Sequence, residues 1–260
     1  MLRPCSRAVF GAQRSCFVVG CTGRKRQSMK VPDLAEIHQQ FPAVAEYLSG
    51  IYILRRDYGH AGNTRLSDWV GVSGSAVTQA LGRLKRLGLA RQKPYGDIGL
   101  TPRGLLLAVK VLRRHYLLEH LLVGVLGYPW EQADREAKLL QNLISEDLTE
   151  HLFRRLGSPQ TCPHGNPMPG SRVEPRLLSA PRLSDAPEGR TVKILRITEE
   201  GEQVAGLLSA CGARGIHPGV QVRVVGRDRR SLRLTAGTRG RRFSLPLDMA
   251  RHIRYARTRR

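Results

Sequence analysis

The sequence predicts a mixed α+β protein in three parts: an N-terminal winged helix-turn-helix, an α-helical middle, and a C-terminal β-barrel of SH3 type. Three observations support this. Over residues 64–101, two short helical patterns meet at Gly71 and a turn-rich basic hairpin follows. Segments with helical apolar spacing continue to residue 156, and short β-branched runs begin after Arg190. A chain of 260 residues with 41% hydrophobic residues is long enough for two or three small domains.

The first part is predicted to contain three helices and a two-stranded wing. Ser73 is a natural N-cap for the third helix, and Gly88 is expected to end it. The turn around Pro94–Gly96 separates the wing strands. The expected elements are helices over 34–56, 65–70 and 74–87 and strands over 89–91 and 98–100.

A long helix is predicted to begin at Thr101-Pro102, a cap residue followed by proline in the first turn. The expected later helices cover 102–126, 130–143, 145–156 and 203–210, and the strands cover 191–197, 220–225, 231–234 and 243–245. The resulting boundaries are a disordered basic extension 1–33, a winged helix 34–104, a helical domain 105–170, a linker 171–189 and an SH3-like domain 190–260.

The N-terminal residues and the cysteines bear on location. Residues 1–30 hold seven basic and no acidic residues, and Arg14 interrupts their one apolar stretch, so a secretory signal is not predicted. A transit peptide, or a true start at Met29, stays open. Five cysteines without a disulfide pattern fit a reducing cytoplasm, and no apolar run approaches the ~20 residues of a membrane helix.

The charge distribution predicts a polyanionic partner. The net charge is +22, which favours nucleic acid. Residues 47–115 carry a net +9 and residues 190–260 a net +12, whereas residues 116–155 carry a net −3. This pattern indicates a protein-contacting middle between two flanks that face nucleic acid.

The second helix of the helix-turn-helix is expected to enter the major groove of duplex DNA. The residues expected at base edges are Ser73, Ser75, Ala76 and Gln79, because glutamine pairs with adenine and a methyl group suits thymine. The residues expected at phosphates are Arg83, Lys85, Arg86, Arg91 and Lys93. Alternatively these cations form only a solvated face, or the winged helix binds protein.

Several motifs together resemble the diphtheria-toxin-repressor family of iron- and manganese-dependent transcriptional regulators. They are YLSGIY at 47–52, SGSAVTQALGRLKRLGL at 73–89, LTPRG at 100–104, RRHYLLEHLL at 113–122 and CPHGNPMPG at 162–170. GIHPGVQVRV at 215–224 is similar to the SH3-like domain of FeoA type that these regulators append.

The resemblance implies a metal-sensing homodimer that represses transcription from palindromic operators, with residues 105–170 as the dimerisation and metal-binding domain. Of the family's ancillary metal site, His115 and Glu119 match directly, and a position that is usually histidine falls on Asp134. These three side chains suit manganese or iron. Glu202 and Gln203 are the candidate ligands from the SH3-like domain.

The family's primary metal site looks dismantled, because three ligand positions fall on Lys138, Gln141 and Asn142 while the fourth, Glu46, is still a carboxylate. A protonated lysine has no lone pair for a metal. We therefore expect Lys138 to pair with Glu46 and replace the metal's charge, which would leave DNA binding nearly independent of metal. Alternatively Lys138 points to solvent or pairs with Asp134, four residues earlier.

Other features are expected to be structural. The pair Cys162 and His164 has the spacing of half a zinc site, but no second pair stands nearby, so this loop is interpreted as structural. No enzyme motif is present. Rival interpretations are a metal-independent regulator and a basic RNA- or ribosome-associated protein. The expected dimer interface consists of Leu139, Leu140, Leu143, Leu148 and Leu152.

Overall fold

A computed structural model of the protein describes residues 34–92, 96–236 and 241–257. The helices are α1 (Leu34–Gln40), α2 (Val44–Tyr58), α3 (Asn63–Val70), α4 (Gly74–Arg86), α5 (Pro102–His120), α6 (Ala133–Leu140), α7 (Glu146–Arg155), α8 (Glu174–Leu178), α9 (Glu199–Glu202), α10 (Leu207–Arg214) and α11 (Leu247–Ala250). The strands are β1 (Ala90–Gln92), β2 (Ile98–Leu100), β3 (Thr191–Ile197), β4 (Gln221–Arg227), β5 (Ser231–Ala236), β6 (Arg241–Pro246) and β7 (Ile253–Arg257). In these ranges no helix is both long and apolar enough to cross a membrane.

The N-terminal part is a helix-turn-helix with a short wing. Ser73 caps α4 by accepting a hydrogen bond from the Ala76 amide at 3.3 Å, as predicted. The antiparallel pair β1–β2 forms the described part of the wing. Gly104, in the first turn of α5, is required by packing, since a Cβ there would lie 1.9 Å from the Leu89 carbonyl oxygen. The long helix therefore starts directly against the chain that enters the wing.

Several predicted helices differ from the observed ones, and the one expected over 203–210 is found four residues later as α10. The single helix expected over 34–56 is divided into α1 and α2 around Phe41-Pro42, because proline lacks the amide hydrogen and disfavours helical backbone in the preceding residue. The helix expected to reach Leu126 ends as α5 at His120 and continues as a π-helical turn, Leu121–Val125. The expected linker over 171–189 contains α8 and a 3-10 turn, Leu183–Asp185.

The helical middle is built on α5. Its buried residues pack against α2 on one side and against α6 and α7 on the other. Leu152 was expected in the dimer interface, but it lies in this interior with Leu112 and Tyr116, so that prediction was wrong. Leu139 and Leu143 are 63% and 75% exposed, and Leu140 and Leu148 are also exposed. These four leucines still offer an apolar surface to a partner.

The C-terminal part is a five-stranded antiparallel sheet in the order β6-β5-β4-β3-β7. Alternate residues of its strands enter one buried cluster with α10 and α11, including Val192, Ile194, Val224 and Leu234. The edge strands β6 and β7 do not pair with each other among the described residues, so the sheet is open there. A closed barrel was expected, and the structure shows only the mixed helix-and-sheet architecture.

Strand β3 contacts the other two parts of the protein. The loop at Gly165 lies directly on it, because a Cβ at Gly165 would be 2.2 Å from the Leu195 carbonyl oxygen. The buried guanidinium of Arg196 donates to Asp57 at the end of α2, at 2.7 Å, and to Asn166 of the loop, at 3.3 Å. Arg56, beside Asp57, donates to Glu199 at 2.6 Å. A buried ionic network thus joins α2, the 162–170 loop and the strand.

Candidate metal centre and nucleic-acid interface

The ancillary ligands expected from the sequence come together in the interior. His115 and Glu119 lie one turn apart on α5, and their nearest atoms, Nε2 and Oε1, are 3.2 Å apart. Asp134 on α6 places Oδ1 at 3.2 Å from the same imidazole nitrogen. All three side chains are buried, and one potential ligand atom from each lies within 4.8 Å of the others. This spacing suits three ligands of one cation.

A second group of potential ligands shares Glu119 with the first. It adds Cys162 and His164 from the loop and Glu202 from α9, again with ligand atoms within 4.8 Å of one another. His164 Nδ1 lies 3.3 Å from Glu119 Oε1 and 3.5 Å from Glu202 Oε1. The sequence alone predicts a structural role for Cys162 and His164. The Cys-x-His spacing was the available signal, but its partners lie on distant segments. We call these six residues the junction cluster.

Hydrogen bonds outside the junction cluster orient two of its members. His164 Nε2 lies 3.0 Å from the Trp130 carbonyl oxygen, so the other ring nitrogen faces the carboxylates. The Trp130 indole donates in turn to the Pro163 carbonyl at 3.2 Å. Asn166 donates to Glu202 Oε1 at 2.6 Å. Such outer contacts fix ring and carboxylate orientation in metal sites.

Burial and the attraction between oppositely charged neighbours act in opposite directions on the pKa values of the cluster residues. Burial alone would lower the pKa of His115 and of His164, but the surrounding carboxylates raise them to about 10 and about 9. Burial would raise the pKa of Glu119, yet the two imidazoles lower it to about 2. Burial raises the pKa of Glu202 well above its usual range, reinforced by Glu119 and Asp134 against the pull of His164. The protons on the two imidazoles therefore supply the positive charge that balances the ionised carboxylates.

The junction cluster has the donor chemistry of a cation site. Both carboxylate oxygens of Glu119 are buried and accept no hydrogen bond of acceptable geometry from the described residues, although Oε1 lies within ion-pair distance of His115 and His164. Buried polar atoms are rarely left so. Imidazole and carboxylate suit manganese and iron, and the Cys162 thiol adds a softer ligand. A divalent cation would displace the imidazolium protons and occupy these acceptors.

The four positions of the dismantled primary site line one cavity only in part. Glu46, Lys138 and Gln141 border a cavity of about 210 Å³, together with Gln203 of the C-terminal part. Asn142 is not among its lining residues. The expected ion pair between Glu46 and Lys138 is absent from the described residues, so that prediction was wrong. Lys138 instead donates to Asp134 at 2.7 Å, the i−4 alternative.

The contact with Asp134 keeps Lys138 charged. Burial would lower the pKa of Lys138, but the Asp134 carboxylate outweighs it, so the pKa is raised. The ammonium group of Lys138 therefore lies at the junction cluster and not at Glu46, and its side chain is 40% exposed.

Helix α4 exposes the residues expected at DNA base edges. Ser73, Ser75 and Gln79 are exposed and Ala76 is partly exposed. Val77, Leu81 and Leu84 are buried on the opposite side, which fixes the helix on its domain. Ser73 also contacts the Ser75 hydroxyl at 2.9 Å. The N-terminal end of α4 therefore exposes small and polar side chains.

The cations expected at phosphates have different surroundings. Lys85, Arg86 and Arg91 are exposed, and Lys85 donates to Gln92 at 3.3 Å. Arg83 is partly buried with its guanidinium 5.0 Å from the centre of the Phe41 ring. Lys93 lies outside the described residues, as does the predicted extension 1–33.

Comparisons with known proteins divide the chain into three domains. Residues 41–98 match the iron dependent repressor N-terminal DNA binding domain, residues 101–170 match the iron dependent repressor metal binding and dimerisation domain, and residues 182–256 match the FeoA domain. The junction cluster draws its ligands from the second and third of these.

Similar proteins include metal-dependent repressors. The iron-dependent repressor IdeR of Mycobacterium leprae is 32% identical over 190 residues, covering 68% of this chain and 81% of that protein. The diphtheria toxin repressor of Corynebacterium diphtheriae is 29% identical over 219 residues, covering 80% and 94%. A solved manganese-dependent transcriptional repressor in complex with manganese aligns with a TM-score of 0.71 and 27% identity, covering 83% of this chain and all of that one. The chain belongs to the iron-dependent repressor family.

Proposed function

We propose that this protein is a dimeric transcriptional repressor that binds palindromic operator DNA and responds to a divalent transition metal held by the junction cluster. The observation that carries the proposal is the buried Glu119 carboxylate, which lies among potential ligands from three other segments and accepts no hydrogen bond of acceptable geometry from the described residues. Family membership supports the DNA-binding and repressor parts of this function.

In the DNA complex, Gln79, Ala76, Ser73 and Ser75 of α4 read base edges in the major groove. Lys85, Arg86, Arg91 and the wing residue Lys93 contact phosphates. Arg83 also contributes a cation, although its stacking on Phe41 holds it close to the domain surface. A homodimer reads two half-sites about one helical turn, or a multiple of it, apart.

Metal binding is coupled to the DNA-binding domain through α9. Glu202 of α9 belongs to the junction cluster, while Glu199 of the same helix accepts hydrogen bonds from Arg56 at the end of α2 and from Tyr116 of α5. A cation that orders Glu202 against Glu119 and His164 also orders Glu199. The end of α2, which carries the helix-turn-helix, is then held in one position.

The metal is manganese or iron, with the ligand set His115, Glu119 and Asp134 or the overlapping set Glu119, Cys162, His164 and Glu202. Lys138, Gln141 and Asn142 replace the ligands of the family's primary site and give no second ion a place there. The alternative function is a metal-independent repressor, favoured by the Lys138–Asp134 ion pair that already supplies a cation to the cluster.

The exposed leucines Leu139, Leu140, Leu143 and Leu148 form the core of the dimer interface. The 190–260 domain takes the SH3-like arrangement that its FeoA match suggests, with its edge strands left open. The domain boundaries remain those predicted from the sequence. We further assign the protein to the cytoplasm and give it no catalytic role, in keeping with the repressors it resembles.

The test combines metal analysis with DNA binding. Protein purified without chelator is assayed for manganese, iron and zinc, and its affinity for an operator selected from random DNA is measured in chelator and after manganese or iron addition. A rise of tenfold or more, about 1.4 kcal/mol, supports the metal-responsive repressor. Sequence-specific binding that is unchanged by metal supports the metal-independent alternative, and no preference for any duplex rejects both.

A further inference from the structure

The open sheet of the FeoA domain carries a second basic surface. Its strands β3, β4 and β5 alternate between buried apolar and exposed polar residues, as the period of two requires. The exposed cations on the outward side are Lys193, Arg223, Arg233 and Arg242, and we call them the basic face.

Strand register places these cations close together. Arg223 on β4 pairs with Thr235 on β5, which pairs with Arg242 on β6, so the two arginines flank one threonine. Two inter-strand spacings separate them, about 10 Å. Arg233 stands two residues from Thr235 and lies flat at the β4 bulge, since a Cβ on Gly226 would be 2.5 Å from its Nη2 atom.

No acidic side chain neutralises the basic face. Its cations form no ion pair within the part of the chain that the structure describes. Asp228, in the β4–β5 turn, is close enough to interact electrostatically with Arg233. Its oxygens, however, accept the Arg230 and Ser231 amides and the Ser231 hydroxyl and so hold the turn. Arg223 and Arg233 are diagonal neighbours on adjacent strands, and an external anion would reduce the repulsion between them.

The polar residues between the cations indicate which anion. Gln221, Thr235 and Ser244 offer hydroxyl and amide donors of the kind that bind phosphate oxygens, and arginine binds phosphate bidentately. Unstacked bases need aromatic platforms. Phe243, the aromatic residue of β6, pairs with Leu234 and packs against the domain interior instead. A flat array of donors without such a platform fits the backbone of a duplex.

We propose that the basic face binds the sugar-phosphate backbone of duplex DNA beside the operator bound by α4. The inference rests on the proposed function, because the winged helix must already hold the chain on DNA. Because α4 then holds the chain on the operator, the flanking phosphates are at high effective concentration around the basic face. It adds affinity and salt dependence without adding base specificity.

The experiment compares two full-length triple variants that lose the same charge. R223Q/R233Q/R242Q removes the arginines of the basic face, and R154Q/R172Q/R176Q removes three exposed arginines elsewhere as the matched control. Affinity for a random-sequence duplex of roughly 40 base pairs and for the operator selected by the unaltered protein is measured between about 50 and 200 mM salt. Each phosphate contact contributes about 0.9 to the slope of log affinity against log salt.

We expect the basic-face variant to lose about 2.7 from that slope for each protomer, on both duplexes, while the control keeps its slope and both variants melt at the same temperature. An unchanged slope in the basic-face variant overturns the inference. An equal loss of slope in the control variant also overturns it, because the effect would then come from net charge alone. A larger loss on a single-stranded RNA of the same length than on duplex also overturns it. If the unaltered protein shows no preference for a selected site, the proposed function fails separately.

Discussion

Replacing Arg196 by methionine tests whether the ionic network holds the FeoA domain against the DNA-binding domain. The Arg196 side chain is 1% exposed and donates to Asp57 at 2.7 Å. Methionine removes the charge and keeps an unbranched chain, and Asp57 is left with Arg56 as its remaining cation at 2.8 Å. Breaking a buried pair costs about 3–5 kcal/mol. Because Arg56 still neutralises Asp57, we expect a loss near the lower end, about 3 kcal/mol.

The matched control is Arg55→Met on the same helix. Arg55 forms an ion pair with Asp97, but their side chains are 41% and 40% exposed, so solvent screens the pair and its loss should cost at most about 1 kcal/mol. Free energies of unfolding come from urea denaturation of the metal-free protein. A double-mutant cycle of Arg196→Met with Asp57→Asn should give a coupling energy of about 1–3 kcal/mol.

The reasoning fails if Arg196→Met costs no more than Arg55→Met, since burial would then confer no extra strength on the pair. It fails equally if the cycle gives no coupling, because the loss would reflect packing of the arginine stem rather than the ion pair.

Four further predictions follow from the same geometry. Gln79→Ala should weaken binding to the selected operator by about 1–3 kcal/mol and relax base choice, whereas an equal loss on random duplex would remove its readout role. Leu143→Asp should give monomers in analytical ultracentrifugation, because its side chain is 75% exposed in the single chain, and a persistent dimer would exclude this surface. Glu119→Gln should abolish the rise in melting temperature on adding manganese, and an undiminished rise would place the metal elsewhere. The pKa values of His115 and His164 are raised to about 10 and about 9, above the unfolded value of 6.5. Their protonation therefore stabilises the metal-free fold fully below pH 6.5, and this stabilisation is lost as pH rises through 9 to 10. Stabilisation by manganese, measured from thermal melts, should accordingly grow from about pH 6.5 to about pH 8.5.

Local signals in the sequence were enough to predict the DNA-binding half of the fold. The Ser73 cap and the Thr101-Pro102 start fall where the structure has them, because capping depends on a few neighbouring residues. The break at Pro42 was missed although proline is also a local signal, since the apolar spacing on both sides suggested one continuous helix. Barrel closure could not be judged from the sequence, because it depends on pairing between β6 and β7, which no single strand encodes.

The metal centre was only half predictable. His115 and Glu119 are visible at a spacing of four residues, but Asp134 was assigned through the family resemblance alone. Glu202 was among the candidate ligands that the resemblance suggested, whereas Cys162 and His164 were not, and the loop that carries them lies against β3 at Gly165. The expected pairing of Lys138 with Glu46 was wrong, and the alternative partner Asp134 is the one observed. The nearby Asp134 on the same helix turn competes better for its ammonium group than Glu46 on another helix.

In the proposed function, helix α9 links metal binding to the DNA-binding domain without the primary site. Its four residues carry Glu202 in the junction cluster and Glu199 in the contacts to Arg56 and Tyr116. The helix is capped by Thr198, which accepts from the Gly201 amide at 3.1 Å, and a Cβ on Gly201 would lie 2.7 Å from the His252 Cβ, so α9 packs closely against the residues before β7. We therefore expect a displacement of Glu202 toward a cation to move Glu199 as well. In the proposed function, the path from metal to α2 runs through this helix and does not need Lys138, Gln141 or Asn142.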